Sequence, residues 1–121
     1  AGDARVVEWD PRDPDRAFKA TPVRQVTNFY ACYGNEVLLN QKNGELGHGK
    51  ERAVAIADVL DAHAGAQGEA VAWKALRAAA QEPNPEDITS NTQWSVVFDN
   101  TEPAAAITLR RHWGDIDAFA L

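Results

Sequence analysis

Methionine is absent from the 121-residue chain, and cysteine occurs once, at Cys32. A single thiol cannot close an internal disulfide, so no covalent staple is expected. Without methionine, at residue 1 or elsewhere, the chain is expected to be a processed product or an excised piece of a longer protein. No apolar run approaches the roughly twenty residues that span a bilayer, and no signal-peptide pattern opens the chain. A soluble, cytoplasmic protein is the expectation. Positive charge is also scarce, since 12 Lys and Arg against 18 Asp and Glu leave a net charge of −6. The basic residues do not cluster, which argues against a nucleic-acid partner. An acidic surface of this size reads as solubility.

What remains is ordinary for a globular protein, 45% apolar and 25% charged, and its length suits one domain over residues 1–121. The most strand-like stretch is Thr92-Gln93-Trp94-Ser95-Val96-Val97-Phe98-Asp99. Both of its alternating rows are apolar or small, which predicts a central strand buried on two faces. Ala4–Trp9 predicts an opening strand, broken by the prolines and acids of 10–15. Val23–Tyr30 reads as a second strand, with Val6-Val7-Glu8 and Gln25-Val26-Thr27 forming an antiparallel pair. Residues 31–49 read as a long irregular segment with Val37-Leu38-Leu39 as its apolar anchor, a length uncommon in loops unless they line a site or are poorly ordered.

Two helices are predicted next. Over 50–63, Ala53, Ile56, Ala57, Leu60 and Ala64 recur at three- and four-residue steps, and Gly65 supplies a stop. Over 68–81, Ala72, Ala75, Leu76 and Ala79 face inward until Pro83 and Pro85 end the helix. The tail reads as a three-stranded antiparallel meander, 92–99, 104–110 and 116–121, with turns at 99–103 and 112–115. The fold class is therefore α+β, an antiparallel sheet of about five strands with two helices on one face.

Val26-Thr27-Asn28, then Lys50-Glu51-Arg52 at a helix start, then the Thr92–Asp99 strand resemble, in that order, the C-terminal portion of the linear amide C–N hydrolases. That family holds choloylglycine (bile-salt) hydrolases, penicillin V acylases and acyl-CoA:6-aminopenicillanic acid acyltransferases. The resemblance implies an N-terminal-nucleophile (Ntn) hydrolase fold, an αββα sandwich of which this chain supplies one part. A second sheet would then cover Thr92–Asp99. It implies a cysteine nucleophile, exposed as a first residue by self-cleavage, whose own α-amino group is the base. Ala1-Gly2-Asp3 offers no nucleophile, so the chain alone is expected to be inactive and to need an N-terminal segment that carries the thiol. Thr27-Asn28-Phe29-Tyr30 also lacks the proline common after Thr-Asn in bile-salt hydrolases, which favours the acyltransferase or another amidase branch.

By the resemblance, Asn28 is an oxyanion-hole donor and Arg52 lies beside the nucleophile. A fixed, neutral amide suits the first role, and a guanidinium that lowers a thiol pKa suits the second. Read from the residues alone, Asn28 caps a strand end and Arg52 is a solvated arginine paired with a surface acid. A helix's first turn is nevertheless a poor place for a cation, which leans toward a purpose. Cys32 has no His or Asp at a telling spacing and reads as a structural thiol. His48, His63 and His112 show no metal-ligand spacing, and Gly44, Gly47 and Gly49 no phosphate-loop spacing. No metal or cofactor is expected. Trp9, Trp73, Trp94 and Trp113 either line an acyl pocket or belong to the core.

Two functions follow. One is the C-terminal segment of a cysteine amidase or acyltransferase that acts on a small acyl amide through a thioester. The other is a non-catalytic α+β domain that binds a small ligand or a partner, with self-association through an exposed sheet face.

Overall fold

The computed structural model describes residues 4–10, 12–32, 34, 49–66, 68–88 and 90–121. The protein is α+β, as its hydrophobic periods predict. In chain order the elements are β1 (Arg5–Trp9), β2 (Phe18–Pro22), α1 (Lys50–Ala62), α2 (Glu69–Ala78), β3 (Trp94–Asp99), β4 (Ala104–Leu109) and β5 (Asp117–Ala120). They fall into two compact units, Ala1–Ala57 and Asp58–Leu121, with the boundary inside α1. The five strands are divided between two antiparallel sheets, β1-β2 and β3-β4-β5.

In the first unit the partner of β1 is Phe18–Pro22, not the expected Val23–Tyr30. The register runs from Arg5↔Pro22 to Trp9↔Phe18. The early reversal has a local cause. The Asp10 carboxylate, buried to 5% exposure, accepts from Arg12 N (2.9 Å), Arg12 Nη2 (2.6 Å) and Lys19 Nζ (3.4 Å). It thereby clamps the turn to the returning strand. Asp13 N and Arg16 N donate to Asp10 O and Asp13 O, both at 3.0 Å. Arg16 then takes a positive φ of 50° and lays its guanidinium 5.5 Å from the Trp9 ring centre. Beyond Val23 N, which donates to Ala4 O at 3.1 Å, residues 24–30 are in no strand. They keep a strand's alternation, odd positions half-buried and even ones exposed, without the ladder. Of the long irregular segment, 33 and 35–48 lie outside the described residues, and with them Val37-Leu38-Leu39, Gly44, Gly47 and His48.

The second unit is built on the predicted meander. Its register is Trp94↔Leu109, Val96↔Ile107 and Phe98↔Ala105 between β3 and β4. Between β4 and β5 it is Ala105↔Phe119 and Ile107↔Asp117. The central strand is therefore β4, and Trp94–Asp99 stands at an edge. The Ala-rich sequence of β4 explains the exchange, because small side chains tolerate neighbours on both sides and a helix above. One face carries Ser95, Val97, Ala104, Ala106, Thr108 and Ala118, with Ser95, Ala106 and Thr108 buried. Helix α2 packs on β3 through the expected stripe, where Ala75 is buried and Ala72, Leu76 and Ala79 are half-buried.

The opposite face is open. Trp94 is 61% exposed, Phe98 58%, Leu109 57% and Phe119 49%. Burial of the lead strand on two faces is thus corrected to burial on one. Ala105, in the middle of this face, is buried to 2% because Phe98 and Phe119 flank it in register. Thr108 Oγ1 meets the carbonyls of His112 (2.8 Å) and Asp115 (2.9 Å) and ties the turn after β4 to the sheet. Among the described residues no helix is long and apolar enough to cross a membrane.

Candidate functional site

The structure brings together the first two pieces of the resemblance. Helix α1 starts at Lys50, and its first carbonyl acceptor is Gly49 O, which takes Ala53 N at 2.9 Å. The same carbonyl accepts Thr27 Oγ1 at 2.8 Å, and Thr27 Oγ1 in turn accepts Phe29 N at 3.2 Å. This fastens the 27–29 segment to the helix start. Arg52, in the first turn of α1, donates from Nη2 to Asn28 Oδ1. Gly49 has a φ of +81°, and a Cβ on it would overlap Asn28 Oδ1 and stand 2.9 Å from Thr27 Oγ1. Only glycine fits, both for its φ and for the close approach of the amide.

The chemistry of this cluster follows from its donors. A cation in a helix's first turn opposes the macrodipole, and here the Asn28 carbonyl oxygen faces that charge. With Oδ1 held by the guanidinium, the Asn28 amide presents Nδ2 as its donor end, and among the described residues nothing accepts from it. Lys50 adds a second cation to the same turn, its Nζ 5.7 Å from the Phe29 ring centre. Two cations, a helix N-terminus and a neutral N–H donor favour an anion here, offset in part by the Glu51 carboxylate of the same turn.

Asn28 is not at a strand end, because no strand covers residues 23–30. Its side chain is exposed, and it does not line the groove beside it, a volume of about 300 Å³ walled by Thr27, Phe29, Lys50, Ala53, Val54 and other neighbours. Odd positions of the segment face the groove and Asn28 faces away. The resemblance points to Asn28 and Arg52, whereas the roles of Thr27 and Gly49 emerge only from the geometry. The signal for Gly49 was its place directly before a predicted helix.

The other candidates are dispersed. The Glu8 carboxylate accepts from two successive backbone N–H groups, Ala31 N at 3.0 Å and Cys32 N at 2.9 Å. Burial, then the Glu8 carboxylate, pushes the Cys32 thiol above its ordinary pKa, which is wrong for a nucleophile. His63 Nδ1 is 2.8 Å from Val59 O, and its Nε2 is 2.9 Å from Lys74 Nζ. Among the described residues no three His, Cys, Asp or Glu side chains group to hold a metal. Trp9 and Trp94 are exposed, while Trp73 and Trp113 meet edge to face with centroids 6.4 Å apart.

No family model, no curated protein and no solved structure matches the chain.

Proposed function

We propose that this chain is the C-terminal segment of a cysteine-nucleophile amidase or acyltransferase acting on linear amides. The thiol comes from a segment outside this sequence. The observation that carries the reading is the amide of Asn28, whose oxygen is engaged by Arg52 and whose N–H₂ is left to donate. A tetrahedral oxyanion needs such a donor, fixed in advance and unable to act as a competing nucleophile. Arg52 and Lys50 favour the anionic thiolate and the oxyanion. The thiolate would attack the amide carbonyl and the C–N bond would break, the amine leaving with the proton taken up by the nucleophile's own α-amino group. The thioester would then pass its acyl group to water or to another amine, restoring the thiol. The open face of the β3-β4-β5 sheet supports the same reading, because a sandwich needs a second sheet there.

The test is made on the chain expressed with its own upstream coding sequence and matured to an N-terminal cysteine. Under reducing conditions, penicillin V, a bile-salt conjugate or an N-acyl amino acid should give a burst of acyl-enzyme. Asn28→Ala should lower turnover by about 100- to 1,000-fold. Absence of a burst with all three substrate types refutes the proposal.

The exposed row Trp94, Phe98, Leu109 and Phe119 also favours a second reading, in which the domain is an assembly module that pairs through this face. Sedimentation across a concentration series distinguishes the two, since a protein monomeric at every concentration excludes self-pairing.

A further inference from the structure

Lys74 and Arg77 stand three residues apart on α2, and neither meets a carboxylate among the described residues. In a chain with 18 acids against 12 Lys and Arg, two neighbouring cations without an acid are unexpected. Lys74 Nζ donates instead to His63 Nε2 at 2.9 Å. That imidazole is the Nδ1–H tautomer, since Nδ1 faces Val59 O at 2.8 Å. The Arg77 guanidinium lies 5.3 Å from the Trp113 ring centre. The Trp113 ring meets Trp73 at 70°. Trp73, Lys74, Arg77, Trp113 and Ile116 line a half-open cavity of about 140 Å³.

Size and walls together select a ligand. A cavity of about 150 Å³ with apolar walls holds one benzene ring, and two indoles set nearly at right angles offer one face and one edge to such a ring. A guanidinium stacked on an indole keeps its N–H edge available for the two oxygens of a carboxylate. Glu69, the acid nearest on the same helix, takes Trp73 Nε1–H at 2.9 Å. It orients that indole and is not part of the cavity wall. We infer that this cavity binds a small aryl carboxylate, the ring against Trp73 and Trp113 and the carboxylate on Arg77, with Lys74 adding charge. The inference is independent of the amidase proposal, because none of these residues belongs to the Asn28 cluster.

The test is a benzoate titration of the full chain, followed by the indole N–H signals of its four tryptophans in ¹H–¹⁵N spectra. Saturable shifts are expected at Trp73 and Trp113 and not at Trp9 or Trp94, with a dissociation constant on the order of 1 mM. Benzyl alcohol, which has the ring without the charge, and acetate, which has the charge without the ring, should each bind about tenfold more weakly or worse. Arg77→Gln should weaken benzoate by about tenfold and Lys74→Gln by about threefold. The inference is overturned if all four indoles shift alike or if benzyl alcohol binds as well as benzoate. It is equally overturned if Arg77→Gln binds as the parent does. Should Arg77→Gln lose its spectral dispersion, the exposed Lys74→Gln decides, and unchanged benzoate binding there overturns the inference.

Discussion

Replacing Gly49 by alanine should unlock the candidate site without touching a charged group. The new Cβ would overlap Asn28 Oδ1, stand 3.1 Å from Asn28 Cγ and 2.9 Å from Thr27 Oγ1, on a backbone with φ of +81°. The φ alone costs an L-residue with a side chain roughly 1–2 kcal/mol. The overlap is relieved most cheaply if the Asn28 amide swings away, which gives up its bond from Arg52. At an exposed site a bond of this kind contributes about 1 kcal/mol. The expected loss is therefore about 2–3 kcal/mol, enough to lower the melting temperature of so small a protein by ~10 °C or more.

Urea unfolding, followed by the amide signals of Thr27, Phe29 and Ala53, measures this loss. A double-mutant cycle separates its two parts. Asn28→Ala removes Oδ1 and Cγ and so removes the overlap with them, leaving the backbone strain and the close approach to Thr27 Oγ1. The double variant should therefore be less destabilised than the sum of the singles, by about 1 kcal/mol. Strict additivity, to within ~0.3 kcal/mol, would mean that Gly49 and Asn28 are not in contact and would refute the site geometry.

Three other sites allow the same kind of accounting. Arg111 (φ 63°) and Arg110 (φ 47°) both occupy the left-handed region. The Arg111 guanidinium binds Glu82 Oε2 (3.2 Å), Gln81 O (3.3 Å), Thr92 O (3.0 Å) and Asn91 Oδ1. Arg111→Ala should cost about 2–4 kcal/mol in a urea titration, whereas Arg110→Gly, relieving strain at an exposed site, should gain about 0.5–1 kcal/mol. For Asp10, the side-chain bonds from Arg12, aided by Arg12 N and Lys19, hold the carboxyl well below its ordinary range. A depressed folded pKa means that its stabilisation is complete above the unfolded value near 4. It is then lost as pH falls from there through the folded value. The urea midpoint should drop below about pH 4 and should drop less in Asp10→Asn. Some acid sensitivity should persist, because Asp99 is lowered too, by its bonds from Thr101 and Glu102.

The helices and the meander could be read from sequence because burial there follows a period. Ala72, Ala75, Leu76 and Ala79 recur as a helix requires, and Trp94, Val96 and Phe98 as a strand requires. Where something other than periodicity sets position, the structure departs from the pattern. Phe18–Pro22 has Lys19, Ala20 and Pro22 and little strand character. It pairs with β1 because the Asp10 clamp turns the chain early. Val23–Tyr30 has the alternation of a strand, but its odd side chains face a groove beside α1 rather than a ladder partner's cover. Arg110 and Arg111 carry no sign of a positive φ, since that conformation usually calls for Gly or Asn. At the candidate site, Asn28 and Arg52 are 24 residues apart. No period links them, so only a family resemblance could place them together.

The second unit carries its side chains in an order that a self-sufficient domain would reverse. Its smallest residues, Ser95, Ala106 and Thr108, lie on the covered face, and its largest, Trp94, Phe98 and Phe119, lie on the open one. Small residues let α2 approach closely, but they bring little apolar area with them. A unit of this size is already near the limit at which one core sustains a fold. Covering a Trp, Phe or Leu side chain completely contributes roughly 1.5–3 kcal/mol, so the open row is the unit's largest unused source of stability. A partner that covered this row would have to be apolar, and its binding would raise the stability of β3, β4 and β5 together, because Ala105 already links Phe98 and Phe119 across all three strands. Trp94 sits at the far end of that row, opposite Leu109 with no β5 partner. Its indole should be the first to report contact with such a cover.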